Sequence, residues 1–251
     1  MNSDIAETID WKGDAVDCSA CAHRSLLDTE RCRLGHACVN DRYARRIDRF
    51  FDWNADLANG YVTHPHFEVR AIAAKHADVF RLPPLLDDPE ETVRWNAARR
   101  LPKERVLRLR NDPHREVRIR IARILEDDDL IAMMGDEDYY VRLVIAQRIT
   151  PALLSPLMRD EEAEVRRVVA TRITADWLPR MVCDPEATVR LEVARRLSPG
   201  MLHWLTGDPD WRVRYEVASR IGEPQISELA EDSDELVREM AQSRQPGQRC
   251  N

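Results

Sequence analysis

The dipeptide Val-Arg recurs along most of this chain, at Val69-Arg70, Val93-Arg94, Val117-Arg118, Val141-Arg142, Val165-Arg166, Val189-Arg190, Val213-Arg214 and Val237-Arg238, always 24 residues apart. Other positions keep the same register. Five residues before the valine stands Asp88, Asp112, Asp136, Asp160, Asp184, Asp208 or Asp232, with His64 replacing it in the first unit. Proline often follows, at Pro65, Pro89, Pro113, Pro185 and Pro209. Five residues after the valine stands alanine, from Ala74 to Ala218, until Gln242 breaks the series. Eight units therefore tile residues 57–248 without a gap.

Each unit predicts two elements. The Asp-Pro start reads as an N-cap with proline in the first turn, followed by about three helical turns whose Val, Ala and Leu or Ile share one face. The rest of the unit carries an apolar pair three residues apart: Leu82/Leu85, Val106/Leu109, Leu130/Met133, Leu154/Leu157, Leu178/Met181, Leu202/Leu205 and Ile226/Leu229. That spacing suits a 3₁₀ turn, in which every third side chain eclipses. Two full helices with their turns need about 26 residues, so the period leaves room for one α-helix and one short 3₁₀ segment. Pro83, Pro84, Pro156 and Pro179 also fall inside the second segment, where an α-helix would lose hydrogen bonds. No alternating β-branched run marks a strand.

A unit of this size cannot bury its apolar faces alone, so neighbours must stack into an all-α solenoid. The end units then need modification. Ala58 and His64 depart from the pattern in the first unit, and Gln242 and Gln245 place polar groups at the last, as a water-facing cap would. The segment before residue 57 is the candidate cover for the first unit.

Charge changes this picture little. The chain of 251 residues has a net charge of −7, which disfavours general attraction to nucleic acid. Rows of arginine follow the valines and recur at Arg100, Arg148, Arg172, Arg196, Arg220 and Arg244. Because aspartates run at the same period, these rows are expected to pair within and between units rather than to form an anion groove. The run Glu126-Asp127-Asp128-Asp129 reads as a solvated turn, and Trp95, Trp177, Trp204 and Trp211 as packing residues without common register. His64, His66, His76, His114 and His203 share no register either. No phosphate loop, nucleophile elbow or H-E-x-x-H helix is present, so the repeats are expected not to be an enzyme. The start lacks a signal-peptide pattern and no long apolar run occurs, which predicts a cytoplasmic protein without a membrane span.

Four of the six cysteines lie close together, as C-x2-C-x10-C-x5-C at Cys18, Cys21, Cys32 and Cys38. In a reducing cytosol such a cluster points to a metal rather than to disulfides. Tetrahedral zinc and a [4Fe–4S] cluster both fit four thiolates, and spacing alone slightly favours zinc. Arg24, Arg31 and Arg33 could offset the negative charge of either, and His23 and His36 are spare ligands. Cys183 reads as a small core hydrophobe, and Cys250 lies in a polar tail. Residues 39–53 form an amphipathic connector, with Tyr43, Ile47, Phe50 and Phe51 at helical spacing and Arg42, Arg45, Arg46 and Arg49 elsewhere around it.

The D-P-x-x-x-V-R-x-x-x-A units, preceded by these four cysteines, resemble the leucine-rich repeat variant family known from nitrogen-fixing bacteria. The resemblance implies a right-handed superhelix of alternating α- and 3₁₀-helices with an N-terminal [4Fe–4S] cluster. It moves the metal assignment from zinc to iron–sulfur. It also implies a loose link to nitrogen fixation and no established activity. The expected organisation is an iron–sulfur module and connector in residues 1–56, a solenoid of eight units in 57–248 and a tail in 249–251. The expected function is a monomeric protein-interaction scaffold, redox- or iron-responsive, with an unidentified protein partner. Electron transfer through the cluster and a zinc-stabilised binding module are the alternatives.

Overall fold

The computed structural model describes residues 7–245; Cys250 and the tail lie outside them. The chain divides into two compact units, one ending at Leu125 and the other beginning at Glu126. The first contains α1 (Ala44–Trp53), α2 (Phe67–His76), α3 (Glu91–Ala98) and α4 (Arg115–Ala122). The second contains α5 (Tyr139–Arg148), α6 (Ala163–Arg172), α7 (Ala187–Arg196), α8 (Trp211–Ala218) and α9 (Glu235–Arg244). Among the described residues there is no strand, only isolated bridges between Ile9 and Ala15 and between Arg33 and Ala37. No described helix is long and apolar enough to cross a membrane.

Every Val-Arg valine lies in a helix from α2 to α9 and is buried, as are the alanines from Ala74 to Ala218. The apolar pairs from Leu82/Leu85 to Ile226/Leu229 are buried too. Gln242 is exposed and donates to the Ala230 carbonyl at 3.2 Å, so the last helix turns a polar side chain toward water where its siblings bury alanine.

The second segment of each unit varies more than the spacing predicts. It is 3₁₀ at Pro83–Asp87, Ser155–Arg159, Ala175–Met181 and Pro199–Leu205. It is α-helical instead at Asp127–Ile131 and Gln225–Leu229, and begins α-helical at Lys103–Val106 before tightening to 3₁₀. All four interior prolines named above lie in 3₁₀ segments, and the wholly α-helical ones contain none; Pro83, Pro84 and Pro156 stand at the first positions, where no amide donor is needed.

The Asp-Pro pair sits differently from expectation. Asp88 is not the N-cap of α3, which is Glu90, but stands two residues earlier, and its carboxylate accepts from the Glu90 amide at 3.0 Å. The same turn recurs at Asp112, Asp136, Asp160, Asp184, Asp208 and Asp232. True side-chain caps are Asp138, Asp210 and Asp234, which accept from amides in the first turns of α5, α8 and α9. The displaced aspartate serves another contact. Its two oxygens receive the guanidinium fork of the preceding unit's arginine: Arg70 on Asp88, Arg94 on Asp112, Arg142 on Asp160, Arg166 on Asp184, Arg190 on Asp208 and Arg214 on Asp232. The remaining nitrogen of that arginine donates back to carbonyls of its own Asp-Pro turn, as Arg94 does to Asp88 at 2.9 Å and Pro89 at 3.0 Å. Bidentate geometry and satisfied lone pairs are what a mostly buried ion pair needs to be tolerated.

The second arginine row closes helix ends. Arg196 donates to the Ala170 and Ile173 carbonyls of α6 and the following residue, at 2.8 and 2.6 Å; Arg100, Arg172, Arg220 and Arg244 likewise reach back to the preceding helix. These carbonyls have no intrahelical partner, and a cation at a helix C-terminus also meets a favourable dipole.

Three other expectations are corrected. Cys183 is exposed, so it is not a core residue. Trp204 and Trp211 are 49% and 40% exposed, while Trp177 carries the Arg180 guanidinium over its ring at 4.2 Å. The acidic run opens a short helix rather than a free turn, and Asp127 accepts from both the amide and the hydroxyl of Thr150.

Candidate metal centre

Local turns bring the cysteine segment back on itself. Asp17 accepts from the Ser19 amide at 2.7 Å and hydroxyl at 2.6 Å, shaping the approach to Cys21. One short helical turn, Ser25–Asp28, follows. Glu30 then adopts a left-handed backbone, φ 56°, and the chain reverses so that the Arg31 and Cys32 amides both donate to the Leu26 carbonyl. The Arg33–Ala37 bridge turns through Gly35, at φ +70°, where a Cβ would lie 3.3 Å from the Thr8 methyl. Glycine is favoured there on both counts.

Cys18, Cys21 and Cys32 are part-exposed, Cys38 is buried, and all four are free thiols. Two donors point at the Cys21 sulfur, the His23 amide and the Asn40 side chain, each at 3.4 Å. Cys32 donates to the Ala37 carbonyl at 3.3 Å. Burial pushes the Cys32 thiol up, and charge on Cys21 and Cys18 raises it further. Cys38 is pushed up to about 12, by burial first and then by Cys32, Asp41 and Cys21. Cys32 thus feels the charge of Cys18 and Cys21, and Cys38 that of Cys21 and Cys32, although among the described residues no three His, Cys, Asp or Glu side chains close around a single-ion position. Four free thiols with amide donors to sulfur are a suitable donor set for an iron–sulfur group. The rings of the spare candidates have other partners. His23 bonds to Tyr61, and His36 accepts from Arg49.

The connector helix α1 carries this segment onto the first repeat. Its Ile47, Phe50 and Phe51 are fully buried, as the spacing predicts. Arg46 is buried as well, contrary to its place on the polar side; it pairs with the fully buried Asp41 at 2.8 Å and donates to the Glu7 carbonyl at 2.8 Å. Phe51 packs edge-on against Tyr61 and near-parallel to His76 of α2, at 5.4 and 6.0 Å.

Tyr61 is the site residue that motif reading misses. It hydrogen-bonds His23 through its hydroxyl, and burial followed by the charges of Cys21 and Cys38 raises it to about 12. It therefore stands at both the cysteine segment and the first repeat. Its signal in the sequence is slight: a tyrosine where later units place Leu85, Leu109 or Leu157. His23 is likewise held low by burial.

A solved leucine-rich repeat variant, described as having a novel repetitive structural motif, matches 92% of this chain and 99% of its own at 42% identity and a TM-score of 0.86. The chain belongs to the leucine-rich repeat variant family. Residues 8–60, a span that includes Cys18, Cys21, Cys32 and Cys38, match the family's model "LRV protein FeS4 cluster". A curated relative, the uncharacterized 27.7 kDa protein in the nifB 3′ region of Rhodobacter capsulatus, is 51% identical over 88 residues. That match spans 35% of this chain and 36% of the relative. In this leucine-rich repeat variant the helical repeat fold and the iron–sulfur domain thus occur in one chain.

Proposed function

We propose that this chain is a protein-interaction scaffold whose N-terminal module holds a [4Fe–4S] cluster on Cys18, Cys21, Cys32 and Cys38 and covers the first repeat. The observation that carries this reading is Tyr61, a residue of the first repeat that bonds to His23 of the cysteine segment and lies within reach of the charges of Cys21 and Cys38. A cluster bound there would supply one-electron chemistry or iron sensing. Loss of order in the cysteine segment would release His23 from Tyr61 and expose Phe50 and Phe51, altering the surface beside the first repeat. Partner binding is then redox- or iron-responsive. The gene neighbourhood named for the Rhodobacter capsulatus relative supports a role linked to nitrogen fixation.

Anaerobically purified protein tests the cofactor: about four irons with matching acid-labile sulfide are expected, and a colourless preparation with one zinc would refute the cluster. Limited proteolysis tests the rest. Cluster-free protein, made by chelation and by Cys38→Ser, is expected to be cut within residues 7–60 while the repeats resist. Equal resistance of both forms, with unchanged partner binding, would sink the responsive-scaffold reading.

A further inference from the structure

The two sides of α1 differ in charge. Asp48 and Asp52 are turned toward the first repeat, where Asp48 pairs with Lys75 at 3.0 Å and both lie near His76, at 3.6 and 3.9 Å. Arg45, Arg49 and Trp53 follow one another at four-residue spacing and so form a separate stripe. Arg49 donates to the His36 ring at 2.9 Å and to its carbonyl at 3.0 Å, and that ring lies 5.7 Å from Trp53. Arg33 and Arg45 are exposed and make no ion pair among the described residues.

Beside this stripe opens a cavity of about 420 Å³, lined by Leu27, Glu30, Cys32, Arg33, Leu34 and Trp53. Leu34 and Trp53 are 41% and 38% exposed there. We propose that this face, Arg33, Arg45 and Arg49 around the Leu34–Trp53 cavity, docks an acidic segment of a partner protein, one apolar side chain of which enters the cavity beside Cys32. The proposal rests on the reading above that the chain works by binding a partner. Charge complementarity selects the occupant: a local basic face on a chain of net charge −7 attracts carboxylates at close range. Nucleic acid fits less well. Leu34 and Trp53 offer the apolar centre with a charged rim that protein interfaces use, which a phosphate backbone cannot fill.

Anisotropy titration of the full, cluster-loaded chain with a labelled glutamate–tyrosine copolymer and with labelled single-stranded oligothymidylate tests this. Arg33→Glu/Arg45→Glu is expected to weaken copolymer binding by about tenfold or more at low salt, and Trp53→Ala by roughly threefold. Iron and sulfide content should stay unchanged in each variant. Arg99→Glu/Arg120→Glu, which reverses the same number of charges around Trp95 on the repeats, is expected to keep wild-type affinity. Unchanged affinity in Arg33→Glu/Arg45→Glu or in Trp53→Ala, an equal loss in the Arg99/Arg120 pair, or tighter binding of oligothymidylate would each overturn the proposal. The two readings fail separately. Arginine-dependent binding that ignores cluster removal sinks only the iron response, and cluster-dependent binding that ignores the arginine reversals sinks only this docking face.

Discussion

The repeats and the N-terminal module use arginine in opposite ways. In the repeats, Arg94, Arg166 and their equivalents each fill one carboxylate and two carbonyls by the same three nitrogens, so a single solution is copied down the chain. In the module, Arg46 is buried on Asp41, Arg49 holds His36, Arg31 pairs with Asp56, and no contact is repeated. A copied contact must fit its neighbours on both sides and tolerates little variation. A unique one can be shaped around a site. The module accordingly gathers four cysteines in one segment and sets His23 and Phe50 against Tyr61 of the first repeat, a ring cluster that no later unit copies among the described residues.

The comparison breaks most sharply at Cys38. Cys38→Ser, or iron removal, is expected to abolish protease resistance in residues 7–60 yet leave most of the helical circular dichroism, because each repeat depends on its nearest neighbours. Loss of most helicity on iron removal would mean that the stack does not stand without its cover. A smaller effect is expected from Asp184→Ala, which leaves the Arg166 fork buried without its carboxylate; denaturant unfolding should show a loss of about 3 kcal/mol. Arg196→Ala frees the Ala170 and Ile173 carbonyls and should cost about 1 kcal/mol by the same measurement, because water can replace part of the contact.

The smallest effect is one of pH. Asp232 is held below the ordinary carboxylate range, first by its hydrogen bonds to Arg214, and Asp210 is held at about 2, first by Arg212. Unfolded aspartate titrates near about 3.9. Both groups therefore contribute fully above that pH, and the contribution is lost as pH falls through the lower folded values. Unfolding midpoints taken from neutral pH down to acid should decline in that window, and less so in Asp232→Asn. The Asp210 share should be slight, because its partner Arg212 is largely exposed.

Much of the repeat architecture was legible in the residues. The valine and alanine registers marked the buried faces, and the coincident aspartate and arginine rows foretold pairing instead of an anion groove. The role of the aspartate was misread, because an Asp-Pro pair before a helix looks like a cap until the fork of the preceding unit is seen to occupy it. In the module, the four cysteines and the apolar side of α1 could be identified from spacing. Tyr61, Asn40 and the burial of Arg46 could not, since each depends on contacts between segments far apart in sequence.

The sequence by itself determined the period, the buried stripe of each unit and the set of thiols, because these follow from regular spacing along one segment. Tertiary structure alone decided where the charges point. Asp48 and Asp52 are drawn to Lys75 and His76, while Arg33 and Arg45 are left outward. Charge direction depends on which partners folding brings within a few ångströms, and a carboxylate already met by a cation no longer contributes to the outer surface.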